Sequence, residues 1–220
     1  MISGGKNSGP SNEQIIVISG TNQWAKITTG GTLPTCILKY VIISLNIQRR
    51  NKCFLFQEAR KIIAEHDTSH PLFLYLPLMS IHSPHVGNAP KRYRHLYDSG
   101  TNSGFKSSEK MREILLASVD YALHKVFVDL KMRGMFDNSV ILVTTDNGGG
   151  PWNSNLPLKG SKETLYEGGI RGASFITSPL LNISGYTYPG LVHITDWVPT
   201  LLGLAGKDPA EYCGWLISCH

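Results

Sequence analysis

Two hard oxygen donors, the carboxylate of Asp146 and the carboxamide of Asn147, stand between the apolar run Val140-Ile141-Leu142-Val143 and the pair Gly148-Gly149. A β-rich run that stops at an acid, an amide and two glycines sets both side chains at the carboxyl end of a strand, on backbone free to turn sharply. That is half of a site for a divalent cation. The same tetrapeptide also reads as a plain polar turn, and what decides between the two is what converges on it. His82 follows the apolar run Leu72-Phe73-Leu74-Tyr75-Leu76, Lys162 (with Lys159) sits in a Gly-containing loop, and Glu167-Gly168-Gly169-Ile170-Arg171-Gly172 forms a Gly-rich turn. Each has an ordinary alternative: a satisfied loop histidine, solvated lysines, a turn that feeds a strand. Together they supply oxygen ligands for a hard cation, an ammonium for an anion's oxygens and an imidazole to protonate a leaving group. Those are the parts of oxyanion-ester hydrolysis.

The elements that must position these residues are legible from periodicity. Phe54, Leu55, Ala59, Ile62 and Ile63 recur at helical spacing, with Arg60, Lys61 and Glu65 elsewhere on the wheel, which predicts an amphipathic helix over 54–66. Residues 72–78 are apolar throughout, as in a parallel strand buried on both faces, and the Pro-rich segment Met79 to His85 ends them. A long surface loop follows over 86–108, carrying the basic-aromatic cluster Lys91-Arg92-Tyr93-Arg94-His95. Met111, Leu115, Val119, Ala122, Val126 and Leu130 mark one face of a helix over 110–133 that Gly134 terminates. The strand 139–145 comes next, so strand, helix and strand make a crossover that puts both strand ends on one sheet edge, with His82 and Asp146 facing one cleft. After a loop holding Trp152, the segment Ala173-Ser174-Phe175-Ile176-Thr177 predicts a short strand, and Asp196 opens a helix from Trp197 to Leu204. The fold class is α/β, a mostly parallel sheet flanked by helices.

Composition narrows the function classes. The chain of 220 residues is long enough to bury a sizeable core, and its formal charge of +5 suits an anionic partner. Lys and Arg are scattered rather than massed, which argues against nucleic acid, and no apolar stretch reaches a membrane span: Cys36 to Ile47 is too short and is broken by Lys39. Met1 to Asn12 lacks the apolar core of a signal peptide. Cys36, Cys53, Cys213 and Cys219 show no Cys-x-x-Cys spacing, which argues against zinc; Cys213 with Cys219 as a disulfide and four free thiols remain equal alternatives.

The segments Pro71-Leu72-Phe73-Leu74-Tyr75-Leu76 through Ser80-Ile81-His82-Ser83-Pro84, Thr145-Asp146-Asn147-Gly148-Gly149, Leu158-Lys159-Gly160-Ser161-Lys162, Tyr166-Glu167-Gly168-Gly169-Ile170-Arg171-Gly172 and His193-Ile194-Thr195-Asp196-Trp197-Val198-Pro199-Thr200-Leu201 resemble, in order and spacing, those of the sulfatases. The resemblance runs from about Phe54 to Gly206 and is greatest to the arylsulfatase B type (N-acetylgalactosamine-4-sulfatase) and its arylsulfatase I and J relatives. It implies an alkaline-phosphatase-like α/β fold and Ca²⁺-dependent hydrolysis of sulfuric esters of sugars or phenols, in the lysosome or the extracellular space. Asp146 and Asn147 match the family's second pair of metal ligands, Lys162 the lysine that contacts the sulfate, and His82 the histidine near the leaving-group oxygen; Lys159 stays unassigned. The family's Cys-x-Pro-Ser-Arg motif, whose cysteine becomes formylglycine, and its Asp-Asp pair do not occur in this sequence. The expectation is a chain divided into an unassigned segment 1–52, a sulfatase-like catalytic portion 53–206 and an unassigned tail 207–220. Such a chain is expected to be a fragment with half of the Ca²⁺ ligand shell and no activity alone. The alternative readings are a non-catalytic protein that binds sulfated glycans or a partner through the same scaffold, and a phosphoryl-transfer relative.

Overall fold

The computed structural model describes residues 14–19, 39–42, 52–78, 107–151 and 154–212, with side chains from 56–78, 113–151 and 154–210. In chain order the elements are β1 (Gln14–Ser19), β2 (Lys39–Ile42), α1 (Lys52–Glu65), β3 (Leu72–Pro77), α2 (Ser107–Met132), β4 (Ser139–Thr144), α3 (Glu167–Ile170), β5 (Ser174–Thr177), α4 (Trp197–Leu204) and α5 (Pro209–Tyr212). The strands form one sheet in the order β2-β3-β1-β4-β5. The first four run parallel, and only β5 pairs antiparallel, against β4.

The expected crossover is present, with a strand between its two arms. β3 and β4 do not touch; β1 lies between them and pairs with both in parallel. Ser19 is the common register mark, opposite Pro77 on one side and Thr144 on the other. The carboxyl ends of β3 and β4 therefore reach the same level, two strand spacings or about 10 Å apart. β1 and β2 both come from the segment 1–52, which was unassigned from the sequence.

Alternation along β3 divides the core between the two faces of the sheet, because successive strand residues point to opposite sides. Leu72, Leu74 and Leu76 join Ala59 and Ile63 of α1, Val126 and Leu130 of α2, and Ile141 of β4. On the other face Tyr75 and Leu142 meet Trp197, Leu201 and Leu204 of α4. Both faces of β3 are thus covered, which is why it could be apolar throughout.

Local chemistry fixes the element ends. Gly134, at φ 65°, stops α2: Met135 N–H bonds back to Leu130 O and Gly134 N–H to Lys131 O, the paired bonds of a Schellman cap. Arg60 clasps Asp129 through Nε at 2.5 Å and Nη2 at 2.9 Å, tying α1 to α2, and this hydrogen bonding raises the guanidinium pKa further. The loop from α1 into β3 is an Asx turn, in which Asp67 accepts from Ser69 N–H at 3.0 Å and Ser69 Oγ at 2.7 Å. Asp196 stands at the N-cap of α4, as expected, while its side chain accepts from His193 N–H at 2.7 Å and closes the 3₁₀ turn just before that helix. No residue of the helix is fully buried, and Trp197, Leu201 and Leu204 pack it against Tyr75 and Leu142 of the sheet.

The loop beyond β4 contains one strained residue. Thr164 N–H bonds to Ser161 O at 3.0 Å, so Ser161 to Thr164 is a β-turn with Lys162 and Glu163 at its corners. Glu163 has φ 75°, as the third position of a type II turn requires and as glycine usually supplies. Thr164 Oγ1 stabilises the turn by donating to Ser161 O at 2.7 Å and accepting from Ser161 N–H at 3.1 Å.

Three outcomes follow from these contacts. Leu74→Ala removes a side chain with no solvent exposure and should cost about 2–5 kcal/mol in urea denaturation, whereas Leu116→Ala, at a position 51% exposed, should stay within about 0.5 kcal/mol. Glu163→Gly should raise the melting temperature, with a net gain no larger than about 1 kcal/mol because glycine also frees the unfolded chain; a loss would mean that the Glu163 side chain itself holds the turn. Bonding from the Ser69 hydroxyl and then its N–H holds the Asp67 carboxyl at about 2, below its ordinary 3.8. Because that pKa is lowered on folding, its stabilisation is complete above the ordinary value and fades as the pH falls through the lowered one. Ser69→Ala should move the Asp67 titration, followed by carboxyl NMR, back toward the ordinary value.

Candidate active site at the carboxyl edge of the sheet

Asp146 and Asn147 lie immediately beyond β4, both half-buried at the edge where β1, β3 and β4 end. Asn147 Nδ2 donates to Gly148 O at 2.7 Å, which commits the amide's nitrogen and leaves its oxygen without a partner among the described residues. The Asp146 carboxylate likewise has no hydrogen bond or ion pair among the described residues. A half-buried carboxylate and a carboxamide oxygen on adjacent residues are the donor types that a hard cation such as Ca²⁺ takes. The pair fits part of a Ca²⁺ shell. Among the described residues no group of three or more His, Cys, Asp or Glu side chains converges, so these two donors fall short of the roughly 6–8 oxygens such an ion prefers.

Lys162 is brought to this turn through the backbone. Its N–H donates to Gly149 O at 2.9 Å, and it stands at the first corner of the type II turn. The side chain is half-buried, and its ammonium has no partner among the described residues. Lys159, three residues earlier, is differently placed: its Nζ lies 4.3 Å from the centre of the Tyr166 ring, a cation–π contact.

The Gly-rich segment expected as a turn is partly helical. Glu167–Ile170 forms the single-turn α3, and Arg171 at its C-cap pairs loosely with Glu167 at 3.4 Å, both side chains exposed. Gly168 and Gly169 are buried, against the turn that bears Asp146 and Asn147. Gly148 N–H donates to Gly169 O at 2.9 Å, and a Cβ on Gly148 would fall 1.9 Å from Gly168 O. No side chain fits at Gly148 without separating the two loops. Thr145 completes the contact, exchanging bonds with Ala173 at 3.0 Å and 2.9 Å just ahead of β5.

Of the four residues the sequence singled out, the structure brings Asp146, Asn147 and Lys162 to one loop cluster. His82 lies outside the described residues, as do Trp152 and all four cysteine side chains. A residue that sequence reasoning passed over is Asn155. Its side chain accepts from Gly149 N–H at 2.9 Å and donates to Gly149 O at 3.0 Å and Gly160 O at 3.1 Å. The only signal for it was an asparagine in a Ser/Asn-rich stretch just before Leu156-Pro157, a bond that proves cis.

Comparison with known proteins agrees with this arrangement. Arylsulfatase J of Mus musculus is 44% identical over 151 residues, covering 68% of this chain and 24% of that protein. Among solved structures, Ps i-CgsB in complex with k-i-k-neocarrahexaose superposes with a TM-score of 0.62 at 27% identity, over 71% of this chain and 34% of that one. A protein in the alkaline phosphatase superfamily from Vibrio parahaemolyticus shares the fold, with a TM-score of 0.50 at 17% identity over 89% of this chain and 45% of that one. The α/β fold is therefore of the alkaline-phosphatase type. The chain spans about a quarter of the length of the curated relatives it matches. The model of the sulfatase family matches residues 22–207, reaching well upstream of the motifs around Asp146, and the chain belongs to the sulfatase family.

Proposed function

We propose that this chain carries part of the catalytic centre of a Ca²⁺-dependent sulfuric-ester hydrolase acting on sulfated sugars or aryl sulfates. The observation that carries the reading is the backbone bond from Lys162 N–H to Gly149 O, which holds the lysine turn against the turn bearing Asp146 and Asn147. Cation ligands and an anion-binding ammonium thereby occupy one edge. Asp146 and Asn147 would hold the ion, and the ion, when bound, would neutralise and orient the sulfate group. Lys162 would share the remaining negative charge of the sulfate oxygens. His82, five residues beyond Pro77 at the end of β3, would protonate the departing oxygen. The reading assigns no nucleophile to this chain and leaves the remaining ligands to residues outside Asp146 and Asn147.

The substrate class rests on the relatives, one of which is an N-acetylgalactosamine-6-sulfatase of Homo sapiens. The compartment proposed with it is the lysosome or the extracellular space. No helix among the described residues is long and apolar enough to cross a membrane.

The test uses the purified chain of 220 residues, labelled with ¹⁵N. Added Ca²⁺ should shift the amide signals of Asp146 to Gly149, and added inorganic sulfate that of Lys162, with negligible turnover of an aryl sulfate. Asp146→Ala should weaken the Ca²⁺ response, and Lys162→Ala the sulfate response, each by about tenfold or more, the value of one charge-assisted contact. Shifts that map elsewhere would sink the site assignment. Robust aryl-sulfate turnover would overturn the assignment of an incomplete centre, and salt-sensitive retention on a sulfated-glycan column without any Ca²⁺ response would favour the non-catalytic binder.

A further inference from the structure

We infer that Asn155 is the positioning residue that locks the Asp146–Gly149 turn to the Lys162 turn, so that the spacing between cation ligands and sulfate-binding ammonium depends on its carboxamide. The inference rests on the proposed roles of those residues and deepens them. Its physical basis is the way three hydrogen bonds from one side chain are distributed. Asn155 Oδ1 accepts from Gly149 N–H at 2.9 Å, while Nδ2 donates to Gly149 O at 3.0 Å and to Gly160 O at 3.1 Å. Gly149 is held at both of its backbone polar groups, and its carbonyl is the same one that receives Lys162 N–H. Gly160, two residues before Lys162, is closely approached by Gly168 as well, since a Cβ there would lie 2.4 Å from its carbonyl oxygen.

The pattern needs two donors and an acceptor in one plane on a short stem. A carboxamide meets it, whereas a carboxylate is acceptor-only. Aspartate at this position would set an anionic oxygen against the carbonyls of both Gly149 and Gly160, so an isosteric change turns two bonds into two repulsions. Without the side chain, the direct tie between Gly149 and the Lys162 turn among the described residues would be one backbone bond, from Lys162 N–H to Gly149 O. That bond, with the indirect link through Gly148 N–H to Gly169 O and Gly168 N–H to Lys159 O, would then have to offset the closure entropy of the loop.

The experiment compares amide hydrogen exchange in the ¹⁵N-labelled chain for wild type, N155A, N155D and V126A. Val126 lies fully buried in the core on the α1–α2 face, so V126A lowers stability without touching the loop. In N155A the Lys162 amide should lose at least tenfold protection together with Gly149, with the amides of β3 and β4 changed no more than in V126A. N155D, which loses the donors and adds a charge, should lose more than N155A, although its shape is the better match. Inorganic sulfate should bind N155A several-fold more weakly than V126A at the same Ca²⁺ concentration. Loss of protection confined to Gly149, or N155D behaving as wild type, would overturn the inference. If wild type binds neither Ca²⁺ nor sulfate, the proposed function fails, while the exchange pattern at Lys162 still decides whether Asn155 is the strap.

Discussion

Backbone meets backbone at this site with no room between. The carbonyl of Gly168 occupies the space a Cβ of Gly148 would need, at 1.9 Å, and the carbonyl of Gly160 stands in the same relation to Gly168 at 2.4 Å. Three loop segments, 146–149, 159–162 and 166–170, are consequently stacked at the distance of hydrogen-bonded main chain rather than of packed side chains. Such closeness gives precision. Side chains on segments joined by backbone bonds vary in relative position by less than those joined through rotatable stems, and the proposed pairing of a cation with an anion would benefit from that stiffness. The glycines after Asp146 and Glu167 are therefore needed for approach, and the freedom to turn that the sequence first suggested is the smaller part of their role.

This loop stack hangs from the sheet by a single register. Ser19 lies opposite both Pro77 and Thr144, so β1 sets the level at which β3 releases the chain toward His82 and β4 releases it at Thr145. The core then resists sliding, because a shift of one residue would exchange Leu72, Leu74 and Leu76 with Phe73 and Tyr75 between the two faces of the sheet. On the α1–α2 side that would force aromatic rings into a space shaped by Ala59, Ile63 and Val126. Packing energy far from the edge thus fixes geometry at the edge.

Much of this was legible in the sequence where the signal is local. The continuous apolar run of β3, the 3.6-residue period of α2, Gly134 as its stop and the helix from Trp197 to Leu204 each follow from neighbours within a turn or two, and each is present. The place of β1 was not legible. Ile15-Ile16-Val17-Ile18 shows that a strand can form but carries no information about partners some sixty and one hundred and twenty-five residues away, since parallel pairing is decided by tertiary packing. The same limit hid the type II turn: Lys162-Glu163 shows no glycine where the backbone adopts φ 75°, because the bonds of Thr164 and Lys162 override local preference. Asn155 was invisible for a third reason. Its importance lies in which carbonyls it reaches, and a polar loop residue has the same signature whether it reaches water or the main chain.

The two lysines of the loop show how structure separates residues that sequence treats alike. Lys159 and Lys162 are three positions apart, equally charged and both near glycines. Lys159 is exposed, with its ammonium over the Tyr166 ring at 4.3 Å, where the π face already offsets part of its charge. To meet an anion at the edge it would have to leave that ring, and the cost would be deducted from binding. Lys162 is half-buried, its main chain is bonded to Gly149, and its ammonium has no partner among the described residues. A cation that is partly desolvated and unpaired gains more from an incoming anion than one that is solvated and stacked, because the lower local dielectric strengthens the new contact and no existing contact is lost. The same reasoning applies with opposite sign to Asp146, whose half-buried carboxylate also lacks a described partner. An ester carrying a sulfate beside a divalent cation would satisfy both charges at once, and neither charge alone would make the edge a favourable place for the other's ligand.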